Sequence, residues 1–285
     1  MKSKYITKKV SESTSKVLRK ILKKNCVDNI FDFELWIAGG FPRILGKIDE
    51  QNLDPIKTIY NYFMSLDGDI DIFGKHINDI NNLVKENSQK YDWNYRSPFA
   101  INCNSQTSEI KSTNIQFVTE FLYKSYDSCL DNFDFTNCKY VLFLENNEFY
   151  IRKDKRAEAF NNKMMLNIDK CVSPLLGQRI VKYCKKHGFK GLSRTEETKN
   201  SFNNYLYKIL TSDWDSIYNR IGNIEEISDY YIKRLHQQTP LTSEELSLFV
   251  GKFNTILTEK IYHSYGFYIK EKGVTDWASN EIRKK

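Results

Sequence analysis

Apolar and polar positions alternate in two different ways along the chain. Between residues 10 and 24, Val10, Val17, Leu18, Ile21 and Leu22 share one helical face and lysines and Arg19 occupy the rest, which predicts an amphipathic helix. Phe33 to Ala38 is a short apolar run that stops at Gly39-Gly40, and Pro42 suits the first turn of a following helix. Asp54-Pro55 opens a further helix, with Asp54 as N-cap and Ile56, Ile59, Tyr60 and Phe63 as its expected apolar stripe. Gly68 to Phe73 then alternates acid with Ile or Phe, as a strand does. A polar helix from His76 to Glu86 precedes expected strands at 99–103, 113–119, 139–144 and 149–152, the last two joined at Asn146-Asn147 as a hairpin.

After Asp154 the strand signal fades. Helices are expected at about 155–164, 174–187, 203–220, 224–237 and 243–264, the last with the capping-box pair Thr242 and Glu245. The pattern predicts an α+β fold, with a head of strands and flanking helices over residues 1–153 and a mainly helical domain over 154–285.

Composition narrows the function classes. The 285 residues include 43 Lys+Arg and 36 Asp+Glu, a net charge of +7, and 40% are hydrophobic, so a folded core is expected. No window approaches the roughly 18 apolar residues of a membrane span, and the lysine-rich start has no signal-peptide core, so the expected location is the cytoplasm, with no membrane partner. The six cysteines and four histidines form no zinc-ligand spacing, and the cysteines read as reduced, mostly buried thiols.

The chemistry concentrates in two short segments. On a strand, residues two apart point the same way, so Asp69 and Asp71 present two carboxylates on one face while Ile70 and Ile72 enter a core on the other. Aligned carboxylates on a rigid strand suit a hard cation, and magnesium keeps open positions for substrate phosphates. Asp67 shares the parity but precedes Gly68 at the turn. The Gly39-Gly40 turn supplies the complementary half: glycines allow close backbone approach, a helix N-terminus attracts phosphate, and Arg43 adds a cation. Unpaired acids at these positions repel one another unless a cation neutralises them.

Gly-Gly at a strand-to-helix turn, followed by Asp69-Ile-Asp71 on a strand, resembles the signature of the polymerase-beta-type nucleotidyltransferase superfamily. Gly-Gly-Phe-Pro-Arg, residues 39–43, is most similar to the head of poly(A) polymerases and CCA-adding enzymes, although Ile44 stands where that subgroup has Asp. The resemblance covers about residues 33–140. It implies a mixed β-sheet in the head and a metal-dependent transfer of NMP from an NTP to a hydroxyl. The metal would be two Mg2+ ions, with Mn2+ as the alternative, and the favoured acceptor an RNA 3′ end. It also implies a third carboxylate on a neighbouring strand. Asp134, in Phe133-Asp134-Phe135, fits that triplet. The competing position is Gln116, in the strand at 114–118, with Glu120 and Asp131 as further alternatives. The implied catalytic and metal residues are thus Asp69, Asp71 and Asp134, and the nucleotide-binding ones Gly39, Gly40 and Arg43.

A basic helix at 178–187 offers Arg179, Lys182 and Lys186 to RNA or phosphate, set against a solvated face whose cations favour the helix C-terminus. The stretch Arg152, Lys153, Lys155 and Arg156 lies nearby in sequence and adds to the basic reading. Two other readings stay open: transfer to a protein or small molecule, and a catalytically silent relative that binds nucleic acid.

Overall fold

In the computed structural model, which describes residues 3–64, 68–96, 100–105, 113–170 and 176–211, the alternating segments of the first part of the chain join one eight-stranded mixed sheet. Its elements are β1 (Tyr5–Lys9), α1 (Glu12–Lys24), β2 (Trp36–Ala38), α2 (Gly40–Gln51), α3 (Pro55–Met64), β3 (Asp69–Phe73), α4 (Ile77–Asn87), β4 (Tyr91–Arg96), β5 (Ala100–Ser105), β6 (Asn114–Val118), α5 (Tyr126–Asp131), β7 (Tyr140–Glu145) and β8 (Glu148–Asp154). The strand order is β1-β8-β7-β2-β3-β6-β5-β4. Only β3 and β6 are parallel; the other neighbours run antiparallel. The chain divides into two compact units, Met1–Ala159 and Phe160–Lys285.

Each face of the sheet has its own core. On one face Ile37, Ile70, Ile72, Ile115, Phe117 and Leu142 meet apolar residues of α1 to α4, including Leu18, Leu22, Phe41, Leu45, Ile59, Phe63 and Leu83. Burying each such side chain contributes about 1.5–3 kcal/mol, so this layer dominates the stability of the unit. On the other face Trp36, Ala38, Phe73, Val141 and Phe143 pack under Cys129 and Leu130 of α5, with Tyr123, Tyr126 and Phe133 at its margin. A capping box between Ser125 and Ser128 starts α5. Its carboxylates then hold it down. Arg152 grips Asp127 with both arms of its guanidinium and donates to the Thr7 hydroxyl at 2.9 Å, while the Tyr5 hydroxyl donates to Asp131. The second face is therefore roofed over its β1-β8-β7-β2 side.

Several expectations are revised. Phe33 belongs to a 3-10 turn, Ile30–Phe33, and Glu34 takes φ 53°, so the strand before the diglycine is only Trp36–Ala38. Asp54 does cap α3, accepting from the Lys57 N–H at 2.8 Å, but the buried stripe is Ile59, Tyr62 and Phe63. Ile56 and Tyr60 are 68% and 45% exposed, because the helix meets the sheet through the i, i+3, i+4 set that starts at Ile59. β1 and β4 were not expected. Asn146 and Asn147, with φ of 50° and 61°, make the tight hairpin turn as expected.

The described part of the second unit holds α6 (Ala157–Lys163, which begins in the first unit), β9 (Met165–Leu166), α7 (Leu176–His187), β10 (Gly191–Leu192) and α8 (Glu196–Thr211). Strand pairing therefore continues past Asp154, since β9 and β10 form a small parallel pair. Asn167 Oδ1 accepts from Ser193, Thr195 and Thr198, which ties that pair to the start of α8. The helices expected at 224–237 and 243–264 lie outside the described residues.

Candidate active site

β3 places Asp69 and Asp71 on the face opposite its buried Ile70 and Ile72, both carboxylate-bearing residues being partly exposed. Beside it, the antiparallel β2 sets Ala38 level with Asp71, and the chain turns at once through Gly39 into α2. Gly39 has φ +89° and ψ −127°, a conformation open essentially to glycine alone. A Cβ there would stand 3.6 Å from Asp71 Oδ2 and 3.4 Å from the Phe133 ring. The second carboxylate thus faces the diglycine bend. The Gly39 N–H is spent on Tyr140 O at 2.9 Å, which pins the bend to β7. The N–H groups of Gly40 and Phe41 are the ones α2 leaves without intrahelical partners, since Pro42 has none to offer.

Asp69 is held by a residue that the sequence reading passed over. The Tyr62 hydroxyl of α3 donates to Asp69 O at 2.9 Å and lies 3.3 Å from Asp69 Oδ1. The same hydroxyl lies against the diglycine, because a Cβ on Gly40 would come within 2.9 Å of it. Tyr62 therefore joins α3, the bend and the first carboxylate. Its signal was its spacing of three from Ile59. Gly68 sets the strand's entry: a Cβ there would meet Tyr62 O at 2.1 Å and Phe63 Cα at 2.7 Å, both in α3.

The other expected residues sit as follows. Arg43, partly buried in the first turns of α2, donates its backbone N–H to Gly39 O at 3.3 Å. Asp134, 1% exposed, stands in the turn after α5 and not on a strand beside β3. Burial above all, then Cys129 and the Asp134 charge, pushes the Tyr123 hydroxyl well above the usual phenol range. The place beside β3 belongs to β6, where Asn114 is level with Asp69 and Gln116 with Asp71. Glu120 is exposed beyond the end of β6, Asp131 is engaged by Tyr5 and Lys4, and Asp67 lies outside the described residues. Among the described residues no three His, Cys, Asp or Glu side chains gather as a metal cage.

The donor set nevertheless fits a hard divalent cation. Asp69, Asp71 and the amides of Asn114 and Gln116 all offer oxygen donors, and among the described residues Asn114 Oδ1 is shielded from solvent with no hydrogen-bond partner. Thiols play no part here. Burial pushes Cys103 and Cys129 up to about 12, far from a reactive thiolate.

The basic residues divide differently from expectation. Of the run at 152–156, Arg152 is taken by Asp127, buried Lys153 by Glu50 and Glu158, and Arg156 by Asp154 at 2.9 Å. Only Lys155 is exposed there, so this stretch is a structural network rather than a polyanion surface. Arg179 and Lys182 are partly buried on α7, and Lys186 belongs to the same helix.

Against known proteins, the model of the Gabija anti-defense 2 family protein matches residues 8–163, more than half of the chain. No curated protein matches. Among solved structures, the chain is similar to the Thermotoga maritima CCA-adding enzyme complexed with tRNA, at 16% identity and a TM-score of 0.44, over 71% of this chain and 47% of that one. It is also similar to a CCA-adding enzyme with ATP, at 14% identity and a TM-score of 0.43, over 98% of this chain and 71% of that one. A tRNA nucleotidyltransferase with primer tRNA and an ATP analog gives 15% identity and a TM-score of 0.37, over 88% and 84%. The chain thus spans about half the length of the first of these enzymes.

Proposed function

The chain belongs to the Gabija anti-defense 2 family, and we propose that it is a metal-dependent nucleotidyltransferase that moves NMP from an NTP to a hydroxyl. The observation that carries this reading is the approach of Asp71 to the diglycine bend, with Oδ2 3.6 Å from where a Gly39 side chain would begin. A triphosphate resting on the bend would meet the carboxylate pair at once.

Asp69 and Asp71 would hold the divalent ions, Mg2+ first and Mn2+ as the alternative, which when bound neutralise the phosphates and make an acceptor hydroxyl more acidic. The remaining work falls to the chain itself. The N–H groups of Gly40 and Phe41 receive phosphate oxygens at the positive end of α2, and Arg43, one turn on, adds charge to the same place. Tyr62 keeps Asp69 oriented. The aromatic roof of Tyr123, Tyr126 and Phe133 covers the apolar side of the same face and excludes water there. Such a site works by positioning and electrostatics. Asp134, buried in the turn after α5, stands off the strand that a third acid would need, so the clamp is proposed as Asp69 and Asp71 without it.

The favoured acceptor is an RNA 3′ end, supported by the net charge of +7 and by Arg179, Lys182 and Lys186 on α7. Family membership favours a second reading, in which the acceptor is a protein hydroxyl, since a protein that opposes a defence system can act by modifying one of its components. Incubation with Mg2+, each α-labelled NTP and either total RNA or a protein lysate distinguishes them. Label in RNA supports the first acceptor and label in protein the second. No transfer to either, with RNA still bound, would leave only a silent binding module.

A further inference from the structure

The side chains that face the bend continue past β3 onto its parallel neighbour. Ile115 and Phe117 of β6 are buried in the helix-covered core, so Asn114 and Gln116 turn to the carboxylate side, level with Asp69 and Asp71. On β5, Asn102 stands level with Gln116 and is 5% exposed. Two acids are thus followed by amides across the sheet, with no third acid in the row. Asn114 Oδ1 is the unusual member. The residue is partly exposed, but this atom is shielded from water and accepts no hydrogen bond among the described residues, although a buried acceptor left unmade bears its full desolvation cost. An amide oxygen is also a hard ligand of the kind that joins carboxylates around divalent cations.

We propose that Asn114 ligates a divalent cation through its amide oxygen beside Asp69 and Asp71, so that the site consists of two acids and a neutral oxygen. This rests on the reading of Asp69 and Asp71 as a cation clamp. The charge balance follows directly. The pair carries −2, which one divalent ion neutralises, whereas three acids would leave −1 and draw a second ion. The protein alone then takes one ion, and the second arrives with the phosphates of the nucleotide. Asn114 accepts no proton at neutral pH, so it cannot serve as base for the acceptor hydroxyl.

Calorimetric titration of the full chain with Mn2+, without nucleotide, tests this alongside thermal unfolding in EDTA. Wild type is expected to bind one ion per chain. Asn114→Leu should weaken binding roughly tenfold while leaving the EDTA midpoint unchanged or raised, because the orphaned acceptor is gone. Asn114→Asp should bind more tightly but unfold earlier in EDTA, with Mn2+ restoring it. The proposal is overturned if Asn114→Leu binds like wild type, and the ligand role passes to Asp134 if Asp134→Asn alone weakens binding. Loss of binding in Asp69→Asn/Asp71→Asn with Asn114→Leu unaffected would remove this inference and keep the clamp. A wild type that binds no ion would remove both.

Discussion

At the scale of single residues, Tyr62 does the most that a reading of the chain did not foresee. Its ring is a core element, stacked 5.8 Å from Phe41, while its hydroxyl spans Asp69 and the diglycine. Removing only the hydroxyl separates these roles. Tyr62→Phe keeps the packing and is expected to lose about 1 kcal/mol of stability, the net worth of one hydrogen bond. Because Asp69 would then lose its support, kcat should fall and the Mg2+ concentration for half-maximal rate should rise, with KM for NTP little changed. A variant with unaltered metal dependence would show that Tyr62 only packs. That Asp69 and Asp71 share one face of a strand, and that Gly39 makes the bend, could be read in the sequence because strand parity and the conformational needs of a tight bend act locally. The orphaned oxygen of Asn114 could not, since its loneliness depends on which strand β3 chooses as its neighbour.

At the scale of elements, the site is an agreement between β3, α3 and the β2-α2 bend. Gly68 shows how close that agreement is, with α3 backbone where any side chain would begin. Gly68→Ala is therefore expected to cost about 1–3 kcal/mol in urea unfolding, as overpacking does. It should also cost more activity than Tyr62→Phe, because relieving a backbone clash moves Asp69 itself. An Ala variant of wild-type stability would mean that β3 and α3 slide freely past one another. Strands with strict alternation, such as Asp69–Phe73, and the Asn146-Asn147 hairpin were legible from period and turn chemistry. β1 was not: its Tyr-Ile-Thr-Lys-Lys is ordinary at a lysine-rich start, and it becomes a strand by pairing with β8, more than a hundred residues away. The exposed face of α3 was misjudged because Ile56 and Tyr60 satisfy the helical period equally well, and only the position of the sheet decides between the two stripes.

At the scale of the whole molecule, the apolar patterning was enough to read an α+β head, while the mixed sheet was implied by the family resemblance. One face of the sheet is closed by four helices and the other is roofed on one side by α5 and its aromatics, and among the described residues Asp69 and Asp71 belong to neither core and are partly exposed. Basic charge was the poorer guide. Three of the four cations at 152–156 hold acidic partners, so counting them along the chain overstated the surface available to a polyanion. No helix among the described residues is long and apolar enough to cross a membrane. The central claim is that the face of β3 that bears Asp69 and Asp71 transfers a nucleotide. It is tested most directly by following α- and γ-labelled NTP in parallel with Mg2+, in wild type and Asp69→Asn/Asp71→Asn. The account expects α-label on an acceptor, γ-label in pyrophosphate, and both signals lost in the folded double variant. Release of γ-label as free phosphate, or transfer that survives the double substitution, would contradict it.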